Sequence, residues 1–422
     1  MRYWRRQMRV VRLSTIDIGG GAARGSYALH RELLRQGVDS ILVVEQKTST
    51  DPTVIGDVGH GRRLLNKVRH RLDRVPLRIY PEREGGYFSL SAVPGSVVRR
   101  VRALAPDLVH LHWVGASFVR PEDLRRFGVP VVWTLRDMWA FTGGCHYSMG
   151  CRRFEQSCGF CPQLGSKYER DLSRWLWSRK RHNWDGIALF PVGISGWIGE
   201  QAQASSLFRG CDVTVINNAI DVEFWRPMPR KFARKTLSLP EDRKVLLFIA
   251  LNVQDPRKGF SYFVDACRVL ARGELGDRLH AVVVGASAAD VRTDLGIPTQ
   301  FVGSLTDDEL IRDAYAAADV TVVPSLEEAF GKTAAESLAC GTPVVCFDAT
   351  GLADVVDHQL TGYRAIPFES GDLANGVRWV LRSEDRWRAL SQAAHNVAKE
   401  RFSLKLRGRD YIDLYESVLE KA

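Results

Sequence analysis

The stretch PSLEEAFGKTAAESLACGTPVV, Pro324 to Val345, sets Glu328 and Glu336 eight residues apart around an aromatic-glycine turn. The residues before it, VTVVP, read as a buried strand ending at Pro324. After Phe330 and Gly331, KTAAESLAC reads as a helix. In open α/β sheets ligands gather outside the carboxyl ends of strands. The free N–H groups of a helix start also favour an anion there. Either glutamate alone would only complement the helix dipole or cap the helix. Eight residues of helix are about 12 Å long. That is too far for the acid and base of a glycoside hydrolase, which lie about 5–9.5 Å apart. The spacing suits two separate grips on a long ligand, each carboxylate accepting hydrogen bonds from hydroxyl groups. A sugar at one end, a diphosphate in the middle and a ribose at the other would fit.

Working outward, strand candidates KVLLFIAL, LHAVVVGAS, TQFVGS and ADVTVVPS precede the motif, and TPVVCFD follows from its end. Helical stretches such as GFSYFVDACRVLAR and DDELIRDAYAAA lie between most of them. The first half repeats the rhythm. MRVVRLSTIDIGGG reads as a strand ending in glycines, and SYALHRELLRQGVDSILVVEQ as a helix and a second strand, a βαβ unit. DLVHLHWV, PVVWTLRD and VTVINNAID continue it. EFWRPMPRKFARKTLSLPEDRK, charged and proline-bearing, suits a linker. Two sets of alternating strands and helices predict two doubly wound α/β domains facing an interdomain cleft. The boundaries read as 1–220 with a Cys-rich insert at about 143–165, 221–400, and a terminal helix over 401–422 packing back on the first domain. A chain of 422 residues also exceeds one typical core.

Charge divides unevenly. Residues 1–210 hold 33 Lys and Arg against 18 Asp and Glu, and the rest hold 26 against 31. A basic front half points to an anionic partner. No apolar run approaches the roughly 18 residues of a membrane span. The basic opening MRYWRRQMRVVRLS lacks the apolar core of a signal peptide, so the expected location is cytoplasmic.

The segment EEAFGKTAAESLACGTPVVCFDATGLADVV resembles the E-x7-E donor-site segment of retaining glycosyltransferases of the GT-B fold, family 4. VINNAIDVEFWRP resembles that family's interdomain segment, with Asn218-Ala219 where Asn-Gly is usual. FVGSLTDDELIRDAYAAADVTVVPS and DPRKGFSYFVDA resemble its stretches before the motif and around its phosphate-binding lysine. GGGAARGSYALHRELLRQGVDS and LVHLHWV through VVWTLRDMWAFTGGCHYSMGC resemble the branch that includes colanic-acid-type exopolysaccharide transferases.

The resemblance implies a role for each matching residue. Glu336 would hold the ribose of a sugar nucleotide, and Glu328 the hydroxyls of the transferred sugar. Phe330 and Gly331 would position that sugar and its phosphate. Lys258 would neutralise the leaving diphosphate. The family usually has an arginine several residues earlier; here Asn252 stands near that position, and Arg257 supplies a charge from elsewhere. Gly19, Gly20 and Gly21 would let the backbone approach the ligand. Arg136-Asp137 occupies the place of the family's histidine-aspartate pair, and an arginine cannot act as a base near neutral pH. His110 and His112 share one face of a strand; either is a packed histidine or an acceptor contact, with Asp17 of similar standing. The resemblance also implies that no cofactor would be required for catalysis.

Cys145, Cys151, Cys158 and Cys161 fall within seventeen residues, with His146 adjacent. Structural zinc and metal-free packed thiols both fit, and a reducing compartment disfavours disulfides. GRRLLNKVRHRLDRV carries Leu64, Leu65, Val68 and Leu72 among six Lys and Arg. It is either an amphipathic helix for an anionic membrane surface or an ordinary packed helix.

The expected function is transfer of a hexose-type sugar from a nucleotide-diphosphate sugar to a glycan or lipid-pyrophosphate-linked acceptor, in exopolysaccharide or cell-surface polysaccharide synthesis. It would act at the inner face of the cytoplasmic membrane, with no nucleic-acid partner. Two competing readings are a non-catalytic scaffold on a transferase fold and a nucleic-acid-binding protein with a zinc module. The binding site expected here has both glutamates free beside an opening.

Overall fold

The computed structural model describes residues 8–57, 59–83, 86–285 and 293–421. The basic opening residues 1–7 lie outside that range. The chain divides into two units, one of residues 1–217 with 405–422 and one of residues 218–404.

In the first unit seven strands form one sheet: β1 (Arg9–Ile16), β2 (Asp39–Gln46), β3 (Val54–Asp57), β4 (Leu108–Leu111), β5 (Val131–Leu135), β6 (Leu189–Gly193) and β7 (Thr214–Val215). All neighbouring pairs run parallel. Their order is β3-β2-β1-β4-β5-β6-β7, so the winding reverses between β1 and β4. β4 and β5 are buried along their whole length, as strands covered on both faces must be. One face packs Leu29 and Leu33 of the first helix with Val10, Leu108, Val132 and Val192. The terminal helix Leu404–Lys421 adds Tyr411, Tyr415 and Val418 to that core. The Tyr415 hydroxyl bonds His110 Nδ1 at 2.6 Å, and the Tyr411 hydroxyl bonds Thr134 Oγ1 at 2.8 Å.

The second unit has six strands: β8 (Lys244–Ile249), β9 (Leu279–Val284), β10 (Thr299–Gly303), β11 (Val320–Val323), β12 (Val344–Phe347) and β13 (Gly362–Ala365). They are parallel in the order β10-β9-β8-β11-β12-β13, and the winding reverses between β8 and β11. Thus α/β architecture with two doubly wound sheets is observed. Three strands escaped the sequence reading. β3 and β13 are four-residue elements with little alternation, and β6 contains Pro191. The expected linker is not bare: it holds the helix Arg230–Thr236, which buries Ala233 and Arg234.

Asp319 explains why that helix is fixed. It is fully buried just before β11. Its carboxylate accepts from Arg234 at 2.6 Å, Arg230 at 2.8 Å and the Val245 backbone N–H at 2.7 Å. One charge therefore ties the helix to β8. Removing it would strand the buried Arg234 guanidinium, a change that costs about 3–5 kcal/mol. Asp319→Ala should lower the stability of this unit by that amount in urea denaturation, and Asp319→Asn, which keeps an acceptor oxygen, by clearly less.

Candidate functional site

In the second unit the candidate residues converge where the winding reverses. Asn252, Arg257 and Lys258 follow β8, and Glu328, Phe330 and Gly331 follow β11. Gly259 allows these two exits to touch. It sits at φ +68, and a methyl group there would collide with the Pro324 carbonyl. Glu328 is buried. Its Oε1 pairs with Lys258 Nζ, lies 3.4 Å from Arg257 Nη1, and accepts from the Ser325 hydroxyl at 3.1 Å. Burial pushes the Glu328 pKa up, but Lys258 and Arg257 outweigh it and the net value lies below the ordinary one. Arg257 is itself anchored, donating to the Glu327 carbonyl at 2.9 Å and to Asp255 at 3.2 Å.

Gly331, at φ +93, precedes the helix Lys332–Ala339. Phe330 is buried edge-on against Phe402, their centroids 5.3 Å apart. Glu336 lies within that helix, paired with Lys332 one turn earlier and accepting from the Tyr315 hydroxyl at 3.2 Å. The expectation of free carboxylates is therefore corrected: both are buried and salt-linked. For Glu328 the partners are the same two cations expected to meet a diphosphate. Lys332 and Tyr315 were missed as partners of Glu336. The i,i+4 spacing of Lys332 and Glu336 was legible, whereas Tyr315 is distant in sequence. Asn252 is exposed and its side chain accepts from Gln254 N–H at 3.0 Å, shaping the turn.

In the first unit the residues again collect at the strand ends around the reversal. Gly20, at φ +70, and Gly21 open the helix Gly20–Arg35 directly after β1. Asp17 takes another role than acceptor contact. It is fully buried, and its carboxylate accepts from the backbone of Ile18, Thr48 and Ser49 and from the Thr48 hydroxyl, at 2.7–3.1 Å. It clamps the end of β1 to the segment after β2. His110 is a packed histidine between Tyr415 and Thr134. His112 accepts from Arg12 at Nε2, and Arg136 lies 3.5 Å from its other nitrogen. Burial, then the neighbouring His110, Arg12 and Arg136, hold its pKa far below the usual range, so it is neutral.

Arg136 and Asp137 wall a small cavity with His112, Trp113, Trp139 and His146. His146 is the residue that sequence reasoning passed over as a site member. Its Nδ1 faces Asp137 at 2.6 Å and its Nε2 faces the Ser89 hydroxyl at 2.9 Å. A carboxylate only accepts, so Nδ1 carries a proton, and Nε2 shares a hydrogen bond with the Ser89 hydroxyl. Asp137 thus has an imidazole partner, supplied from nine residues further along the chain. Its contact with that aspartate is created only by the fold of the Cys-rich insert.

Two family models match this chain: "Glycosyltransferase Family 4" over residues 19–224 and "Glycosyl transferases group 1" over residues 229–397. The two parallel-sheet units have the GT-B fold. Solved GT-B neighbours agree along the whole chain. Anabaena Alr3699/HepE, crystallised with UDP and glucose, superposes with TM-score 0.67 at 18% identity, covering 97% of this chain and all of that one. WaaG, a glycosyltransferase involved in lipopolysaccharide biosynthesis, gives 0.64 at 17% identity, covering 96% and 99%. Among curated relatives, D-inositol 3-phosphate glycosyltransferase of Thermobispora bispora is 34% identical over 223 residues, 50% of this chain and 51% of that protein. The one from Streptosporangium roseum is 37% identical over 203 residues, 43% and 46% respectively. The chain spans about half the length of these curated relatives. Both of these relatives are named for inositol phosphate and not for colanic acid.

In this GT-B unit the Glu328 pair makes stability pH-dependent with a definite sign. The folded pKa lies below the unfolded value of about 4.3. The carboxylate therefore adds stability above that value and loses it as pH falls through the folded one. Urea midpoints of wild type and Glu328→Gln should differ by a constant amount from about pH 5 to neutrality and converge below about pH 4. A gap that widened in acid would contradict the ion-pair assignment.

Proposed function

We propose that the protein transfers a sugar, with retention, from a nucleotide-diphosphate sugar to a phosphate-bearing saccharide acceptor. The observation that carries this reading is the joining of Lys258, Arg257 and Glu328 at the β8/β11 reversal. Breaking the bond from sugar C1 to phosphate oxygen builds negative charge on the diphosphate. Lys258 and Arg257 stand where fixed cations would stabilise that charge. On donor binding they would turn from Glu328 toward phosphate, freeing the carboxylate to accept sugar hydroxyls. Glu336 would take the ribose hydroxyls. The acceptor oxygen would attack from the face the diphosphate leaves, passing its proton to the departing phosphate, so no protein nucleophile is needed. Supporting a nucleotide-sugar donor, neighbours of the same fold were crystallised with UDP and with UDP-glucose.

Arg136 beside the His112 cavity suits an acceptor that carries phosphate. A lipid-pyrophosphate-linked glycan in surface polysaccharide synthesis has that chemistry. So does the inositol phosphate in the relatives' names. A membrane-borne acceptor is favoured by the helix His60–Arg74 and the turn Val75–Ile79 that continues it. Leu64, Leu65 and Ile79 are 64%, 68% and 69% exposed, with Val68, Leu72 and Val75 also exposed. Arg62, Lys67, Arg71, Arg74 and Arg78 interleave with them. Apolar side chains flanked by cations suit the headgroup boundary of an anionic bilayer. Among the described residues no helix is long and apolar enough to cross a membrane.

A donor screen detecting released nucleoside diphosphate, with lipid-linked and inositol phosphate acceptors, tests the activity. Lys258→Ala should lower kcat about 10²–10³-fold. Glu336→Ala should lower kcat/KM about 10–100-fold, the loss of charged hydrogen bonds of about 1.5–3 kcal/mol. Absence of turnover with every donor and acceptor would favour a scaffold, and equal turnover by wild type and Glu336→Ala would remove the ribose role.

Vesicle sedimentation tests the surface. Wild type should bind phosphatidylglycerol vesicles, release them as salt rises, and ignore neutral phosphatidylcholine. The triple variant Leu64→Gln, Leu65→Gln, Leu72→Gln should bind at least about tenfold more weakly, since each apolar side chain contributes on the order of 1.5 kcal/mol when buried. Equal binding by both proteins would exclude the helix as the contact.

A further inference from the structure

Between Thr142 and Asp171 the chain has little regular structure: two three-residue 3-10 turns, Arg153–Glu155 and Pro162–Leu164. Met149, Cys158 and Phe160 adopt positive φ angles of 49, 53 and 46, which are costly for residues with side chains. The apolar cluster under this loop is small: Leu77, Phe88, Leu90, Cys161 and Leu164. A segment of this length with so little core and strained backbone ordinarily needs a cross-link. The loop nonetheless has an exacting task, because Cys145 pairs with Phe88 and presents His146 to Asp137 and Ser89.

Cys145, Cys151, Cys158 and Cys161 are all free thiols, and all four line one small cavity together with Phe88 and Phe154. Gly143 has no room for a side chain, since its Cβ would lie 2.9 Å from Cys158 Sγ. Beside the cluster stands Lys180, fully buried, its ammonium donating to the carbonyls of Trp139 and Thr142 and lying over the Trp139 ring. None of those partners carries a negative charge. Burial pushes the Lys180 pKa down to about 7, against the opposing pull of the neighbouring Cys158, Cys145 and Asp137. A buried cation is costly unless an opposite charge compensates it.

We infer that these four cysteines form a structural zinc site. Zinc takes four thiolates tetrahedrally. On binding, four S–H bonds give up protons to solvent and four S–Zn bonds form, with no change of oxidation state. The resulting centre has a net charge of −2, which the Lys180 ammonium partly balances. Among the described residues no group of three His, Cys, Asp or Glu is arranged to hold a metal ion, so the proposal requires the four sulfurs to close in from the cavity walls when zinc binds. Its work is to lock the loop that carries His146. It takes no part in the chemistry at the second unit's site, so the inference stands whether or not transferase activity is found.

The test uses the full chain purified under reducing conditions. Elemental analysis should find zinc equimolar with protein, and Cys158→Ser with Cys161→Ser should lose it. Cys211→Ser, outside the cluster, should keep it. Because a cluster variant can fail to fold, wild type is also exchanged with cobalt(II). A tetrahedral thiolate site then gives intense sulfur-to-cobalt charge-transfer absorption in the near ultraviolet and d–d bands in the visible red, both abolished by added zinc. Zinc-free wild type that develops no such bands, or four cysteines that titrate as two disulfides, would overturn the inference.

Discussion

An all-parallel sheet must be covered on both faces, and this requirement governs the molecule. The chain winds one way from its starting strand, then returns to wind the other. At the return, helices leave in opposite directions and the strand ends between them stay uncovered. That happens once in each unit, at β1/β4 and at β8/β11. The residues proposed to hold the donor, Lys258, Arg257 and Glu328, stand at the second of those places. The chemistry follows from topology before any particular side chain is considered.

Buried charge gives the second unit its internal order. Asp319 gathers two arginines and a backbone amide at the amino end of β11. Glu328 gathers a lysine and an arginine beyond its carboxyl end. The first arrangement is closed, with a fully buried carboxylate and partners that never need to leave. The second pairs groups that each have a plausible ligand of their own. The same physics of compensated charge thus serves support at one end of the strand and, in the proposed reaction, exchange at the other.

Much of this was legible in sequence, because buried parallel strands leave continuous apolar runs. VTVV and KVLLFI identify β11 and β8, and the glycines after β1 mark a helix start. The glutamates, Lys258 and Arg257 were legible as candidates because each follows such a run. What escaped depended on contacts without local signature. Asp17 looked like any acid after a strand, and only the fold brings Thr48 and Ser49 to it. His146 sits in an irregular loop, and nothing in its spacing announces Asp137 or Ser89. The ion pairs of Glu328 were hidden for the same reason, since Lys258 is seventy residues away.

Gly259 has a further consequence. With its α-carbon pressed against the Pro324 carbonyl, the exits of two neighbouring strands are fused at the level of the main chain. The main chain bearing Lys258 and the turn bearing Glu328 are then held as one solid jaw, so that only rotation of the side chains is left to change the distance between ammonium and carboxylate.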